Sequence, residues 1–324
     1  MKHSARTGTA LQMSAVVLSI TLSACSRQEP ESNAAATGAA PPNEPTVAAE
    51  MAPAATDPLA AAVDGSWRSA EDRARDRYRH PRESLEFWGL APGMTILEVQ
   101  PGGGWWTEIL APYAHATGGV YYATAADLEN PELPAAARDA RAAFEARFAA
   151  NAERYGRVHL VNFGTQSAPL PENTFDFALS ARSVHGWIGA GIAEKVFNDL
   201  YGALKPGGIL AIKQHRAKEG QQDPKAANGY VTESYVIEQA QQAGFELVER
   251  SEINANAQDT KDHPFGVWTL PPAKRTRPNS EGPDAHDPNF DRSKYDAIGE
   301  SDRMTLKFRK PESSSSPASS TPTA

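Results

Sequence analysis

Residues 95–106, Thr-Ile-Leu-Glu-Val-Gln-Pro-Gly-Gly-Gly-Trp-Trp, narrow what this chain can fold into more than any other stretch. An apolar run, Ile96-Leu97 with Val99, carries a carboxylate at Glu98 and leads into glycines at Gly102 and Gly104; residues 107–111 then have helix composition. The order is strand, glycine turn, helix. A sharp strand-to-helix turn uses backbone angles that side chains disfavour, and a ligand there must approach bare backbone. Turn amides and the positive end of the following helix favour an anionic or carboxylate-bearing ligand. An ordinary surface loop has a similar composition, so this turn alone leaves both readings open. Trp105 and Trp106 fit core packing as well as a stacking platform.

The rest of the chain repeats the alternation. Residues 69–78 are helix-prone, and 81–89 read as a helix with Pro81 at its start and Gly89 at its end. Strands are expected at 120–124, 157–163, 175–180 and 209–214. Helices are expected at 131–150, with Phe144 and Phe148 on one face, at 192–204, ending in the breaker Lys205-Pro206-Gly207-Gly208, and at 232–243. Residues 245–250 and 303–309 alternate apolar with polar, as antiparallel edge strands do. The fold expected is therefore α/β and Rossmann-like: seven strands, mostly parallel, with helices on both faces and an antiparallel last strand. The segment 254–300, rich in Pro, Asp and Asn, is too long for a plain hairpin loop and reads as a functional or disordered connection.

The charge balance, Lys+Arg 32 against Asp+Glu 40 in 324 residues with a net charge of −8, argues against a nucleic-acid surface and for a small-molecule or protein partner. The only cysteine, Cys25, sits in Leu22-Ser23-Ala24-Cys25 behind the apolar stretch 10–22 and the basic start Lys2 and Arg6. That arrangement is a secretion signal whose end resembles the lipobox of bacterial lipoproteins. The resemblance implies acylation of Cys25 and a periplasmic protein held by lipid, with Ser26 favouring the outer membrane. The domains expected are a signal peptide over 1–24, an Ala/Pro-rich tether over 25–65, one globular domain over 66–310 and a Ser/Pro-rich tail over 311–324.

Over roughly residues 67–310 the chain resembles the class I S-adenosylmethionine-dependent methyltransferases. Glu98, Gln100, Gly102 and Gly104 map onto that family's acid-and-glycine signature, and Leu204-Lys205-Pro206-Gly207-Gly208 onto its turn before strand five. More narrowly, it is similar to a group of bacterial methyltransferases with Arg-x-x-His-x-Trp after strand four, here Arg182, His185 and Trp187. The resemblance implies S-adenosylmethionine as cofactor, held by Glu98, Gln100, Gly102 and Gly104, with Thr124 and Asp127 at the end of strand two. The chain departs from the family at Gln100, where the first glycine is expected, at Thr124, where an acid is expected, and at Phe163-Gly164-Thr165, where an aspartate is expected.

In an open parallel sheet the ligand crevice lies off the carboxyl ends of the strands. That rule gathers Arg182, His185, His215 and Arg216 near Glu98. His185 and His215 are candidate general bases, and Arg182 or Arg216 a clamp for a carboxylate or phosphate; structural hydrogen bonds and ion pairs are the plainer reading of each. Trp187 and Trp268 fit either a pocket wall or the core. A metal at His185, His215 and His263, aided by Asp259 or Asp262, is the weaker alternative because no tight ligand spacing occurs. Two functions are compatible with these residues: a lipid-anchored methyltransferase acting on a small molecule beneath 254–300, and a non-catalytic, lipid-anchored binding protein that kept the fold.

Overall fold

The computed structural model describes residues 57–278 and 287–312. In chain order the described elements are α1 (Pro58–Val63), α2 (Ala70–Ala74), α3 (Asp76–Arg79), α4 (Pro81–Trp88), β1 (Thr95–Val99), α5 (Thr107–Ala116), β2 (Val120–Ala126), α6 (Ala135–Ala149), α7 (Ala152–Tyr155), β3 (Val158–Phe163), β4 (Phe175–Ala181), α8 (Val184–Ala190), α9 (Ala193–Ala203), β5 (Leu204–His215), α10 (Glu233–Gln242), β6 (Glu246–Ser251), α11 (Ser293–Ile298) and β7 (Arg303–Arg309). The sheet order is β3-β2-β1-β4-β5-β7-β6, parallel from β3 to β5, with β7 antiparallel to both neighbours. This is the Rossmann-like, seven-stranded sheet expected.

Alternation along the central strands builds two cores. In β1, Leu97 and Val99 face one cluster with Val196, Leu200 and Phe245 from the α9–α10 side. Ile96 faces the other, with Leu85, Trp88, Ile109 and Leu110. Both faces of the sheet are thus covered by apolar helix stripes, as parallel sheets require.

Four boundaries differ from the sequence expectation, each for a local reason. The long helix α6 starts at Ala135 rather than 131, because a proline disfavours helical angles in the residue before it and Pro134 takes the cap position. The strand β5 begins at Leu204: the Lys205–Gly208 breaker is a bulge inside the strand, where Phe175 pairs with Leu204 and Phe177 with Ile209. Gly207, at φ 80°, donates to Lys310 and so keeps the bulge paired with the end of β7. Third, β7 is not an edge strand. Met304, Leu306 and Phe308 are fully buried on one face, and Arg303 and Thr305 on the other, so it sits between β5 and β6 and leaves β6 alone at the edge. Trp88 packs over it, donating its indole N–H to the Leu306 carbonyl at 3.0 Å.

Fourth, the globular domain reaches back beyond residue 66. Pro58–Val63, assigned to the tether by composition, forms a helix capped by Asp57, whose side chain accepts the Leu59 and Ala60 amides. Leu59, Ala62 and Val63 are buried in the second core. Three small apolar side chains on one turn carry little compositional signal but suffice to seal that face. The expectations for the signal segment, Cys25 and the tail beyond residue 312 lie outside the described residues. Leu59→Ala should lower unfolding stability by about 2–4 kcal/mol in urea titrations; a change below about 0.5 kcal/mol, the range of surface substitutions, would remove α1 from the domain.

Candidate functional site

The glycine turn is built by two different constraints. Gly104, at φ 83°, lies so close to the ring of Phe148 that a Cβ would stand 2.9 Å from it. Gly102, at φ 58°, has nothing within 4 Å of where a Cβ would be, so open space lies beside it. Gln100 adopts φ 53°, the left-handed angle a glycine would take at small cost. It is fixed twice: its amide donates to Thr124 Oγ1 at 2.7 Å, and its Oε1 accepts the Trp187 indole N–H at 2.7 Å.

Two cavities adjoin at Gln100, Pro101 and Gly102. One, of about 320 Å³, is mostly apolar, lined by Ala125, Ala126, Ala137, Ala140, Phe144 and Phe163, with Thr124 and Arg141. The other, of about 350 Å³, opens off the carboxyl ends of β1, β4 and β5 and is walled by Trp105, Trp106 and Trp268. From the 254–300 connection, Val267, Trp268 and Pro271–Ala273 wall it, the side on which an acceptor was expected.

Glu98 lines the second cavity from a buried position. Burial pushes its carboxyl up to about 7, against the opposing pull of hydroxyls donated by Tyr121 and Thr107 to Oε2. His185 and His215 stand together, ring centroids 5.8 Å apart. Burial, then the charges of Arg303 and Arg182, hold His215 far below the usual histidine range; burial also lowers His185, although Gln214 bonds its Nδ1. Both imidazoles are therefore neutral near pH 7. His215 Nδ1 is engaged by Ser301 Oγ.

Around them lies a nest of cations. Glu300 takes Arg75 Nε at 2.8 Å, Arg79 Nε at 2.9 Å and a terminal nitrogen of Arg303. Burial works against its charge, but these three arginines hold its carboxyl below the usual carboxylate range. Lys213 is buried behind the cavity, donates to the Arg79 carbonyl, and is depressed well below its usual pKa by burial and by Arg303. Arg79 falls to about 8 through burial and the charge of Arg182, and Arg182 to about 10 through burial and Arg303. Arg182 itself, at φ 67°, is anchored by its backbone amide on the Lys213 carbonyl at 2.6 Å.

The structure thus brings Glu98, Gln100, Gly102, Arg182, His185 and His215 to one cavity wall. Gly104 supports the turn from behind, and Thr124 lines the apolar cavity with its hydroxyl already accepting from Gln100. Asp127 is buried beside Gly164 and accepts the Glu129 amide; it lines neither cavity. Arg216 turns away onto Glu252 and Asp302. Trp187 is core, touching the site only through Gln100. His263 is locked on Asp259 at 2.8 Å, a carboxylate that also accepts the Tyr230 hydroxyl, and among the described residues no group of three or more His, Cys, Asp or Glu is placed to hold a metal. Arg75, Arg79, Glu300 and Arg303 carry no motif. One topological signal was available for the last two: a strand antiparallel to the rest presents its beginning, not its end, at the crevice.

The raised Glu98 group has a measurable consequence. Its folded pKa of about 7 exceeds the ordinary 4.5, so its contribution is fully present below pH 4.5 and is lost as pH rises through 7. Glu98→Gln keeps an uncharged acceptor for both hydroxyls. The variant should exceed the wild type in stability by about 1–3 kcal/mol at pH 8, with that advantage gone by about pH 4 in urea unfolding. An offset that does not change with pH would contradict a buried, proton-holding carboxyl.

Comparison with known proteins places the site in context. Residues 97–212 match the family described as a methyltransferase domain. No curated protein matches the sequence significantly. Among solved structures, the chain is similar to a SAM-dependent methyltransferase from Aquifex aeolicus (TM-score 0.43, 21% identity, covering 56% of this chain and 87% of that one). It is also similar to the cyclase SpnF (0.46, 18%, 77% and 85%). A third is 1,6-didemethyltoxoflavin-N1-methyltransferase of Burkholderia thailandensis, solved with bound 1,6-didemethyltoxoflavin and S-adenosylhomocysteine (0.42, 16%, 78% and 85%). From β1 into β5, then, this chain is similar to methyltransferase domains.

Proposed function

We propose that the protein is a methyltransferase that uses S-adenosylmethionine to methylate a small molecule. The observation that carries this reading is the pair of cavities meeting at the glycine turn. The apolar cavity between Phe144, Phe163 and the alanines has the size and lining for a purine. The backbone of residues 100–103, with open space at Gly102, suits the amino-acid end of the donor. The donor supplies an electrophilic methyl group on a sulfonium.

What this chain contributes is position, dryness and a proton acceptor. Trp105, Trp268 and Pro271–Ala273 wall the second cavity, so an acceptor seated there meets the glycine turn out of bulk water. A neutral imidazole, His215 with its Nδ1 fixed by Ser301 or His185 beside it, takes the proton that an O–H or N–H acceptor sheds on methylation. Gln100 steers the turn through its two fixed bonds, its amide oxygen drawn toward α8.

One observation favours a second reading, a binding protein that does not methylate. No carboxylate lines the apolar cavity to grip ribose hydroxyls, and the Thr124 hydroxyl there is already engaged. Calorimetric titration with S-adenosylmethionine and S-adenosylhomocysteine separates the two. Micromolar binding of both, weakened at least about ten-fold by Gly102→Val, supports the transferase; the absence of heat for either favours the binder. We further propose that the protein works at the periplasmic face of a membrane, anchored through lipid on Cys25. Cys25→Ala should abolish lipid labelling and move the protein to the soluble fraction; unchanged labelling would remove the anchor.

A further inference from the structure

We propose that the methyl acceptor is an oxyanion, a small molecule bearing a carboxylate or phosphate, and that Arg182 is the residue that grips it. This rests on the transferase reading above and names the substrate class of the same site. Among the described residues, the Arg182 guanidinium makes no hydrogen bond and no ion pair, yet it lines the cavity beside His185 and His215. The other cations around it each hold at least one partner, although Arg79 Nη2 and Arg303 Nε are left without one. Arg75, Arg79 and Arg303 share Glu300, Arg75 also reaches Asp72 at 3.4 Å, and Lys213 donates to the Arg79 carbonyl.

The charges facing Arg182 are mainly of its own sign. Arg303, Arg75, Arg79 and Lys213 share its field as like charges, against the carboxylates Glu300 and, on the same cavity wall, Asp72 and Glu98, the last only partly ionised near neutral pH. A chain whose net charge is −8 has concentrated positive charge in one enclosed space. An unpaired guanidinium held among like charges costs stability, and a bidentate oxyanion removes that cost on binding. The location separates this role from the donor's: Arg182 follows β4 and abuts β5, on the histidine and Trp268 side of the cavity, whereas the donor's place is the turn after β1 and the apolar cavity toward β2. An anchored oxyanion there leaves the acceptor's nucleophilic atom between the glycine turn and His215.

The test uses the protein saturated with S-adenosylhomocysteine and two probes, inorganic phosphate and acetate, in calorimetry and thermal melts. At least one probe should bind and raise the melting temperature, the tighter one showing whether phosphate or carboxylate is preferred. Arg182→Gln should weaken that probe at least about ten-fold while leaving S-adenosylhomocysteine affinity within about two-fold. Because it removes repulsion, the unliganded variant should also melt higher than the wild type. Should the variant not fold, Arg182→Lys, which keeps the charge and loses the fork, should bind the probe more weakly than the wild type. Binding of neither probe overturns the proposal. So does a loss of S-adenosylhomocysteine affinity in Arg182→Gln with 5′-methylthioadenosine affinity kept, which would assign the arginine to the donor's own carboxylate. Failure of S-adenosylhomocysteine to bind wild type refutes the transferase reading instead, and phosphate and acetate titrated into the donor-free protein still read the anion site.

Discussion

One buried carboxylate holds the crevice together. Glu300 joins Arg75 and Arg79, at the end of the N-terminal helices, to Arg303 at the start of β7. Those segments are more than 200 residues apart in sequence, and among the described residues no other group in the cavity wall links all three. Burying so many charges is expensive, and such a cluster is retained when the partners stay complete; removing one typically costs about 3–5 kcal/mol. Because Glu300 is itself within the segment that folds over the site, the same bonds fix both the wall of the cavity and its closure. Arg79 adds packing through its guanidinium, 4.7 Å from the ring centroid of Trp105, so an electrostatic knot and an aromatic wall are a single construction.

Given that knot, the apparently drifted residues of the glycine turn make sense as a substituted but self-consistent set. Gln100 takes a left-handed angle that a glycine adopts at small cost and is held there by two hydrogen bonds, one of them to Thr124, where the resemblance had led an acid to be expected. The two departures are partners: with an acid in place of Thr124, the Gln100 amide would meet a longer, charged side chain in the space the hydroxyl fills. Each change read alone suggests decay of a cofactor site; read together they describe a turn stabilised by a different set of contacts.

The sheet and most helices could be read from the sequence because period-2 and period-3.6 patterns are strong in β1, β4 and α9, where burial is complete on one or both faces. The strands' carboxyl ends likewise gathered Glu98, Arg182, His185 and His215 correctly, since topology alone fixes that edge. What stayed hidden depended on contacts distant in sequence. The short helix α1 has only three buried side chains, and its composition matches the stretch before it. The position of β7 inside the sheet is written in burial on both faces, which an alternating apolar pattern disguises. Arg216 and Arg182 look equivalent by type and neighbourhood; only the carboxylates of Glu252 and Asp302 decide that one is spent on structure.

The placement of β7 also bears on how the molecule comes into being. β6 leaves the ribosome before β7 yet lies outside it, so β6 has no partner until β7 is made and threaded against β5. Until then the bonding edge of β5 is bare, a surface on which incomplete chains would pair with one another. Glu300 and Arg303 arrive with the same strand. Formation of β7 therefore completes the described sheet and brings Glu300 and Arg303 to the earlier-made arginines of the cavity wall in one event.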